Sequence, residues 1–304
     1  MRPFKAEQQS FEIGGVKIGG QPGTNPTVMI GSMFYKGQKL VSDDKQGIFD
    51  KSRAKEVIED HVALSEKTGL PGMIDLVVSF PDAVKNYIDF VSETTDMPLL
   101  IDSTSAESRI AAIKYAAEIG LTDRIVYNSL MPHHEQVELD TLRDLKIDQA
   151  VLLAFDDKLS TSAGRIDVIK NDEGTALYDI TRAAGINKLM VDTCVLDIPS
   201  LGMASLAIYE LKDRYGLVCG CGAHNSVATW KGLKKKFGPG LKPLGNAVSG
   251  VVSVMAGADF LLYGPIEEAN TTFPMVAMTD AALGQLNFEQ TGKFDVKHPL
   301  FRIA

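Results

Sequence analysis

The sequence predicts a (β/α)₈ barrel, and two observations lead to that fold class. Apolar runs alternate eight times with helical patterns along the chain, and runs without regular polar alternation suit strands covered on both faces. The clearest unit lies at 98–130, where two apolar runs flank a helical segment of the length that a right-handed parallel crossover needs. Eight alternations fit a closed barrel better than a doubly wound sheet.

The elements follow one another in a simple order. Alternating apolar and polar residues around Gly14-Gly15 and Gly19-Gly20 predict a β-hairpin that closes the bottom of the barrel. A phosphate-binding loop is disfavoured, because no strand-to-helix context surrounds these glycines. The predicted barrel strands are 27–32, 72–78, 98–101, 124–127, 149–155, 188–193, 217–225 and 257–264.

Helices are predicted between these strands and after the last one. They lie near 51–67, 81–93, between the third and fourth strands, and near 135–145, 177–184, 203–215, 229–236 and 267–286, with an extra helix near 245–255. A loop rich in Ser, Thr and Gly leads to the helix at 177–184. The apolar tail at 288–304 is expected to dock on its own barrel or on a second subunit.

Composition and charge indicate the number of domains, the disfavoured partners and the location of the protein. We expect one domain over residues 1–304, because no low-complexity linker interrupts the chain. The net charge is −8 and the densest basic stretch is the short segment 231–236, which argues against a nucleic-acid partner. No apolar segment approaches the ~20 residues that span a bilayer, and the N-terminus lacks a signal-peptide pattern. Together with only three cysteines, these features predict a cytoplasmic protein without a membrane span.

Polar side chains stand at or near the ends of the apolar runs. Because barrel ligands bind outside the carboxyl ends of the strands, the candidate site residues are Asp75, Asp102, Ser103, Asn128, Asp156, Asp192 and Asn225. Two of the aspartates have an alternative interpretation as caps. Asp102 is also suited to be the N-cap of the next helix, and Asp156 is suited to cap the segment that follows Asp156 itself. Asp75 lies within its strand, so we rank it below Asp102.

The chemical types of these residues exclude several common barrel reactions. No lysine ends a strand as a Schiff-base nucleophile, no pair of glutamates faces across the mouth, and no histidine cluster offers metal ligands. Carboxylates and amides suit a neutral, planar, nitrogen-rich ligand. A pterin ring fits, since its 2-amino and N3 hydrogens form an edge that one carboxylate binds in a forked pair, for about 1.5–3 kcal/mol.

A metal site is the alternative for one local cluster. Cys219, Cys221 and His224 are spaced as C-x-C-x₂-H, which brings soft ligands close together. No fourth ligand is evident, and cysteine is often a small buried hydrophobic residue. We therefore predict no metal.

Several short motifs resemble a known family. The runs IDSTSAESR, NSL, LMVDT and CGAHNS are similar to the pterin-binding barrel of methyltetrahydropterin:corrinoid methyltransferases. The opening FEIGGVKIGGQPGTNPTV, with MFYKGQKLVSDD, GIFD and LLAFDD, more closely resembles the H subunit of tetrahydromethanopterin S-methyltransferase and its bacterial relatives, the methylcorrinoid:tetrahydrofolate methyltransferases. The resemblance covers nearly the whole chain and implies a barrel of the pterin-binding type.

The resemblance also implies roles for individual residues. Asp102, Asn128 and Asp192 would hold the pterin edge. Asn225 would approach N5, where the methyl group is gained or lost, with His224 as the alternative contact. The implied reaction moves a methyl group between the cobalt of a corrinoid and N5 of tetrahydrofolate, forming methyltetrahydrofolate in one direction.

The corrinoid is expected on another protein, because the chain lacks the D-x-H-x-x-G loop of cobalamin-binding proteins. A homodimer is expected from the apolar tail. Two other functions remain open: a tetrahydromethanopterin-specific subunit of a methyltransferase complex, and a non-catalytic pterin-binding scaffold. A dihydropteroate synthase fits less well, because the Lys- and Arg-bearing loops for its pyrophosphate substrate are not evident.

Overall fold

The computed structural model describes residues 2–157, 160–293 and 295–303. In these residues the strands are β1 Ser10–Ile13, β2 Val16–Gly19, β3 Val28–Met33, β4 Val41–Asp43, β5 Ile48–Phe49, β6 Gly72–Val77, β7 Leu99–Asp102, β8 Ile125–Leu130, β9 Gln149–Leu153, β10 Lys188–Asp192, β11 Val218–Cys221 and β12 Phe260–Pro265. Eight of them, β3 and β6 to β12, pair in parallel and close into a barrel. The predicted (β/α)₈ fold class is confirmed.

The helices surround the barrel and mostly follow the predicted order. They are α1 Lys51–Thr68, α2 Val84–Thr94, α3 Ala106–Glu118, α4 Gln136–Asp144, α5 Ser162–Ile169, α6 Leu177–Ala183, α7 Ile198–Tyr215, α8 Asn225–Ala228, α9 Leu233–Phe237, α10 Leu241–Met255 and α11 Ala269–Thr291. Across the described ranges, no helix combines the length and the apolar character needed to cross a membrane.

Local sequence signals set the ends of the long helices. Asp50 accepts a hydrogen bond from the Arg53 N–H at the start of α1, and Gly69 ends that helix with φ of 77°, a conformation in which glycine avoids Cβ strain. Asp197 and Ser200 form a reciprocal capping box at the start of α7. These caps fix where the chain enters and leaves the outer layer.

The predicted N-terminal hairpin is present and closes the lower end of the barrel. β1 and β2 pair antiparallel, and Ile13 and Ile18 are completely buried against the barrel interior. That interior holds inward-facing side chains from all eight strands, which are Val28, Ile30, Met73, Leu100, Val126, Val151, Met190, Val218, Phe260 and Leu262. A second, larger apolar layer lies between the barrel and its helices.

Buried polar contacts hold the lower end of the barrel together. Lys212 on α7 lies 2.6 Å from the Asp259 carboxylate just before β12, and Asp259 also accepts from the Cys219 N–H at 2.9 Å. Asp280 on α11 accepts from the Thr27 N–H at 2.7 Å and from its hydroxyl at 3.0 Å. The Lys212–Asp259 ion pair and the Asp280–Thr27 hydrogen bonds therefore tie two helices to the starts of barrel strands.

Two segments between the predicted elements contain regular structure. The loop after β3 folds into the small antiparallel pair of β4 and β5. The Ser-, Thr- and Gly-rich segment before 177 contains α5, whose N-cap Thr161 accepts from the Gly164 N–H at 3.1 Å. The loop prediction there was wrong because Ser and Thr favour both loops and helix N-caps.

The seventh strand is shorter than predicted. β11 ends at Cys221, and the Asn225 N–H bonds the Gly222 carbonyl at 3.1 Å in a tight turn. Asn225 therefore begins the one-turn helix α8 instead of ending a strand. α7 also starts five residues before its predicted beginning, at Ile198.

The C-terminal tail packs on its own barrel, which was one of the two expected positions. A 3₁₀ turn at Pro299–Phe301 lies against α11. His298 and Pro299 are buried, and the His298 ring occupies the space beside Gly284 where a Cβ would stand. The tail thus covers the α1–α11 side of its own fold.

The hairpin plug gives a test of the fold. We expect Ile13→Ala to lower the free energy of unfolding by about 2–4 kcal/mol, because it removes buried methyl groups and leaves a cavity under the barrel. Glu12→Ala, at the exposed neighbouring position, is the matched control and should change it by less than ~0.5 kcal/mol. Urea unfolding measures both, and equal effects would show that the hairpin does not support the barrel.

Candidate functional site

The barrel register places four of the predicted site residues at one level. Side chains two residues apart on a strand face the same way. Met73, Leu100, Val126 and Met190 fill the barrel interior, so the next inward-facing residues on their strands are Asp75, Asp102, Asn128 and Asp192. The pairing agrees, since Asp102 lies opposite Asn128 in the β7–β8 register.

These side chains line one cavity at the carboxyl ends of the strands. The cavity has a volume of about 530 Å³, within the usual range for small-molecule sites. Five predicted residues line it: Asp75, Asp102, Asn128, Asp192 and Asn225. The strand-end rule therefore brings together groups that are up to 150 residues apart in sequence.

Asp75 is the most enclosed carboxylate of the cavity. It is 2% exposed and accepts hydrogen bonds from the Ser32 hydroxyl at 2.7 Å and from the Asn128 amide at 3.1 Å. Burial raises the pKa of Asp75 to about 6, although both hydrogen bonds act in the opposite direction. Asp75 lies within β6, as the sequence predicts, and its inward register nevertheless places it in the cavity.

Asp192 is held by the backbone of the loop that follows it. Its Oδ1 accepts from the Cys194 N–H at 2.7 Å. Burial raises the pKa of Asp192 to about 6, against hydrogen bonds from the backbone of Cys194 and Gly222. This carboxylate is consequently fixed in orientation and easily neutralised.

Asp102 faces the cavity without a hydrogen-bond donor among the described residues. Burial raises the pKa of Asp102 well above its usual value, and the nearby charge of Asp75 raises it further. The N-cap of α3 is Ser105, which accepts from the Ser108 N–H, so Asp102 is not a helix cap. Its carboxylate remains available to a ligand.

Two buried arginines fix the loops that follow these strands. Arg109 on α3 donates to the Ser103 carbonyl and, at 2.6 Å, to Glu138 on α4. Arg165 on α5 donates to the Thr193 carbonyl at 2.9 Å. Each guanidinium therefore holds the backbone directly after Asp102 or Asp192 in place.

Asn225 and His224 both line the upper part of the cavity. The Asn225 amide has no hydrogen-bond partner within the described part of the chain, so both its donor and its acceptor are free. Burial lowers the pKa of His224, and its Nδ1 donates to the Leu262 carbonyl at 3.1 Å. The neutral His224 ring is thereby anchored, while Asn225 is able to donate or accept.

Two predicted site residues lie away from the cavity. The Ser103 hydroxyl accepts from the Ser105 N–H at 3.1 Å in the turn that leads to α3. Asp156 lies in the loop after β9, with its carboxylate 3.4 Å from His133 Nε2. Ser103 does not line the cavity, because it is the sequence neighbour of the inward-facing Asp102. Asp156 does not line it either, and β9 ends two residues earlier than predicted.

The three residues of the possible metal cluster lie in different parts of the fold. Cys219 and Cys221 belong to the apolar layer outside the barrel, while His224 lines the cavity. Within the described ranges, no group of three or more His, Cys, Asp or Glu side chains is arranged to hold a metal ion.

Sequence reasoning missed four polar residues of the cavity: Ser32, Tyr35, Lys242 and Asn246. The alternation that places Asp75 would have found Ser32, two residues after the inward-facing Ile30. Tyr35 follows Phe34, which has a positive φ of 62° and stacks on Tyr87 at 4.0 Å. No local pattern indicates the other two, because α10 reaches the cavity only through tertiary packing.

The electrostatics of the cavity define what it can bind. Three carboxylates, one buried and two partly exposed, face one space. The hydrogen bonds that hold Asp75 and Asp192 come from neutral donors. A ligand that presents several N–H groups would stabilise the ionised carboxylates. The site is therefore suited to a flat ring with a donor-rich edge.

Solved structures with this fold include dihydropteroate synthases. The enzyme of Yersinia pestis with a pterine-sulfa conjugate matches with a TM-score of 0.59 at 15% identity, over 90% of this chain and 99% of that one. The Xanthomonas albilineans enzyme in complex with 7,8-dihydropteroate gives 0.53 at 16% identity, over 90% and 98%. At these identities the likeness concerns the fold alone.

Sequence relatives are far more similar. Residues 6–292 match the family model described as "Tetrahydromethanopterin S-methyltransferase MtrH subunit". The H subunit of tetrahydromethanopterin S-methyltransferase from Methanothermobacter thermautotrophicus is 36% identical, with 99% of both chains covered. Its counterpart from Methanosarcina mazei is 37% identical over 94% of this chain and 93% of that one. The chain therefore belongs to the family of tetrahydromethanopterin S-methyltransferase H subunits.

Proposed function

We propose that the protein transfers a methyl group to or from N5 of a reduced pterin bound in the barrel cavity. The observation that carries the proposal is the convergence of Asp75, Asp102, Asn128 and Asp192 in one cavity, in a chain of a methyltransferase family. The 2-amino and N3 hydrogens of a pterin would pair with the carboxylates. Such charge-assisted hydrogen bonds are worth about 1.5–3 kcal/mol each.

Asn225 is our candidate for the N5 contact. N5 must lose its proton when it takes up a methyl group. In the reverse direction, N5 must be protonated or strongly hydrogen-bonded before the methyl group can be transferred away from it. The free amide of Asn225 is able to accept from N5 or, after rotation, to donate to it. Catalysis would then consist of positioning the ring and controlling one proton.

The names of the relatives favour tetrahydromethanopterin over tetrahydrofolate as the pterin. We therefore propose tetrahydromethanopterin as the substrate ahead of tetrahydrofolate, which was the first expectation from the sequence. The carboxylates would bind the ring edge that the two pterins share, so the proposed chemistry is the same for both. A direct comparison of the two pterins as methyl acceptors decides between them.

A corrinoid carried by a separate protein would supply or take up the methyl group over the open mouth of the barrel. The cytoplasmic location, the single domain and the homodimer expected from the sequence remain proposals. The homodimer was expected from the apolar tail, in which Val296, Phe301 and Ile303 are exposed. Sedimentation velocity measures the state of association.

The role of Asn225 is tested by substitution. We expect Asn225→Ala to lower turnover at least ~10-fold, equivalent to ~1.4 kcal/mol, while pterin binding changes less. The absorbance of the corrinoid during methyl exchange reports turnover, with both pterins tested, and calorimetry reports binding. Asn86→Ala, at an exposed site on α2, is the control.

Turnover of Asn225→Ala at the wild-type rate would remove Asn225 from the mechanism. Wild-type protein that binds a pterin but transfers no methyl group, with the corrinoid partner present, would support the non-catalytic scaffold instead.

The buried carboxylates give a pH-dependent prediction. Because the pKa of Asp102 is raised on folding, its contribution to stability is full below the unfolded pKa and is lost as the pH rises through the folded pKa. We expect Asp102→Asn to match the wild type near pH 4 and to be more stable by at least ~1 kcal/mol at pH 8. Urea unfolding of ligand-free protein from pH 4 to 8 measures the difference.

The same variant should bind pterin at least ~10-fold more weakly, since it loses a charged acceptor. Asp60→Asn, at an exposed position on α1, should change neither property. A stability gap that does not depend on pH would mean that Asp102 is not held in a raised-pKa environment.

A further inference from the structure

The wall of the cavity formed by α10 contains a polar side chain that nothing in the protein engages. Asn246 is 3% exposed, and both its amide nitrogen and its amide oxygen are buried without a hydrogen-bond partner in the described part of the chain. By contrast, Ser249 and Ser253 on the same helix donate to carbonyls one turn earlier, at 2.9 and 3.1 Å. An unpaired buried amide destabilises the folded protein, and a ligand that hydrogen-bonds Asn246 would remove that penalty.

Lys242 lies one helical turn before Asn246, so both residues are on the same side of α10. Both line the cavity, with Asn246 inside and Lys242 exposed at the mouth. The charge of Lys242 also contributes to lowering the pKa of His224, which places the two side chains within electrostatic reach. A cation therefore stands over a cavity whose floor is acidic.

The surroundings of Lys242 are unusually basic for an acidic protein. Residues 214–258 contain no aspartate or glutamate. Within them Lys231, Lys234, Lys235, Lys236 and Lys242 are all exposed. The ion pairs of lysine in the described part of the chain engage other lysines and none of these five. The chain as a whole carries −8. Lys242 at the cavity, with four more exposed lysines in the preceding segment 231–236, therefore makes this side of the rim attractive to anions.

The polarity of the site therefore changes from bottom to top. The floor offers carboxylates to N–H donors, the α10 wall offers an amide, and the rim offers cations. A ligand that matches all three carries a donor-rich ring at one end and anionic groups at the other. Tetrahydrofolate and tetrahydromethanopterin both have this layout, with carboxylates far from the ring.

We propose that α10 forms a second part of the substrate site, in which Asn246 hydrogen-bonds the pterin inside the cavity and Lys242 binds its anionic end at the rim. This inference rests on the proposed function and adds Lys242 as the residue that binds the end of the substrate far from the ring. The four lysines before α10 strengthen the attraction without contacting the ring.

Three ligands test the two contacts by calorimetry: tetrahydrofolate, tetrahydromethanopterin, and 6-methyltetrahydropterin, which keeps the ring and lacks the anionic end. We expect Lys242→Gln to weaken the better-bound of the two anionic pterins about 3- to 5-fold at low salt, and to leave 6-methyltetrahydropterin unchanged. Added salt should weaken wild-type binding of the anionic pterin only. Lys17→Gln, on the exposed face of the bottom hairpin, makes the same change in net charge and should have no effect.

Asn246→Leu separates a ligand contact from a purely structural role. It keeps the branched shape of the side chain and removes the unpaired amide, so the folded protein should be at least as stable as the wild type in thermal unfolding. We expect both the anionic pterin and 6-methyltetrahydropterin to bind at least ~5-fold more weakly. Unchanged binding in a stable Asn246→Leu protein would overturn the role of Asn246.

The remaining outcomes are distinguishable. Equal effects of Lys242→Gln on ligands with and without the anionic end, or none on either, would overturn the rim contact while leaving the proposed pterin function intact. If Lys242→Gln affects neither kind of ligand, the exposed lysines are better explained as a binding surface for an acidic partner protein. Wild-type protein that binds none of the three pterins would overturn the proposed function and this inference together.

Discussion

The enclosure of three carboxylates in one cavity is the constraint on which the rest of the site depends. Asp75, Asp102 and Asp192 face the same space, and burial raises the pKa of each. Ionising all three without a ligand is unfavourable, because desolvation and mutual repulsion add together. A protein that keeps such a cluster gives up stability at a site where a donor-rich ligand restores it.

The barrel holds this cluster by simple means. The alternation of side chains along each strand puts an apolar residue in the interior and a polar residue two positions later at the mouth, as with Met73 and Asp75. Ile13 and Ile18 of the hairpin close the other end, so the cavity opens at one end only. Behind the strands, Arg109 and Arg165 hold the loop backbones without entering the cavity. The same frame, with α10 packed at its edge, brings Asn246 and Lys242 to the same cavity.

Much of this arrangement could be predicted from the sequence, because buried parallel strands leave strong apolar runs. The same runs place Asp102, Asn128 and Asp192 near strand ends, where barrel sites form. Asp75 lines the cavity although it lies within its strand, because alternation, and not distance from the exit, decides which way a side chain points. For the same reason Ser103, the neighbour of Asp102, does not line it. α5 was hidden by residues that also suit loops, and the turn that carries Asn225 was read as strand. Asn246 and Lys242 could not be found, because only the packing of α10 across the barrel mouth gives them a place in the site.

The family and the cavity point to the same chemistry from independent directions. The relatives are methyltransferase subunits by name, and the cavity offers acceptors that match the edge of a pterin. The most direct measurement is a crystal structure of the protein with a bound reduced pterin. We expect the 2-amino and N3 nitrogens within about 3 Å of carboxylate oxygens of the Asp75, Asp102 and Asp192 cluster, with N5 turned toward Asn225. A ring bound elsewhere, with these carboxylates facing only water, would contradict the proposed function.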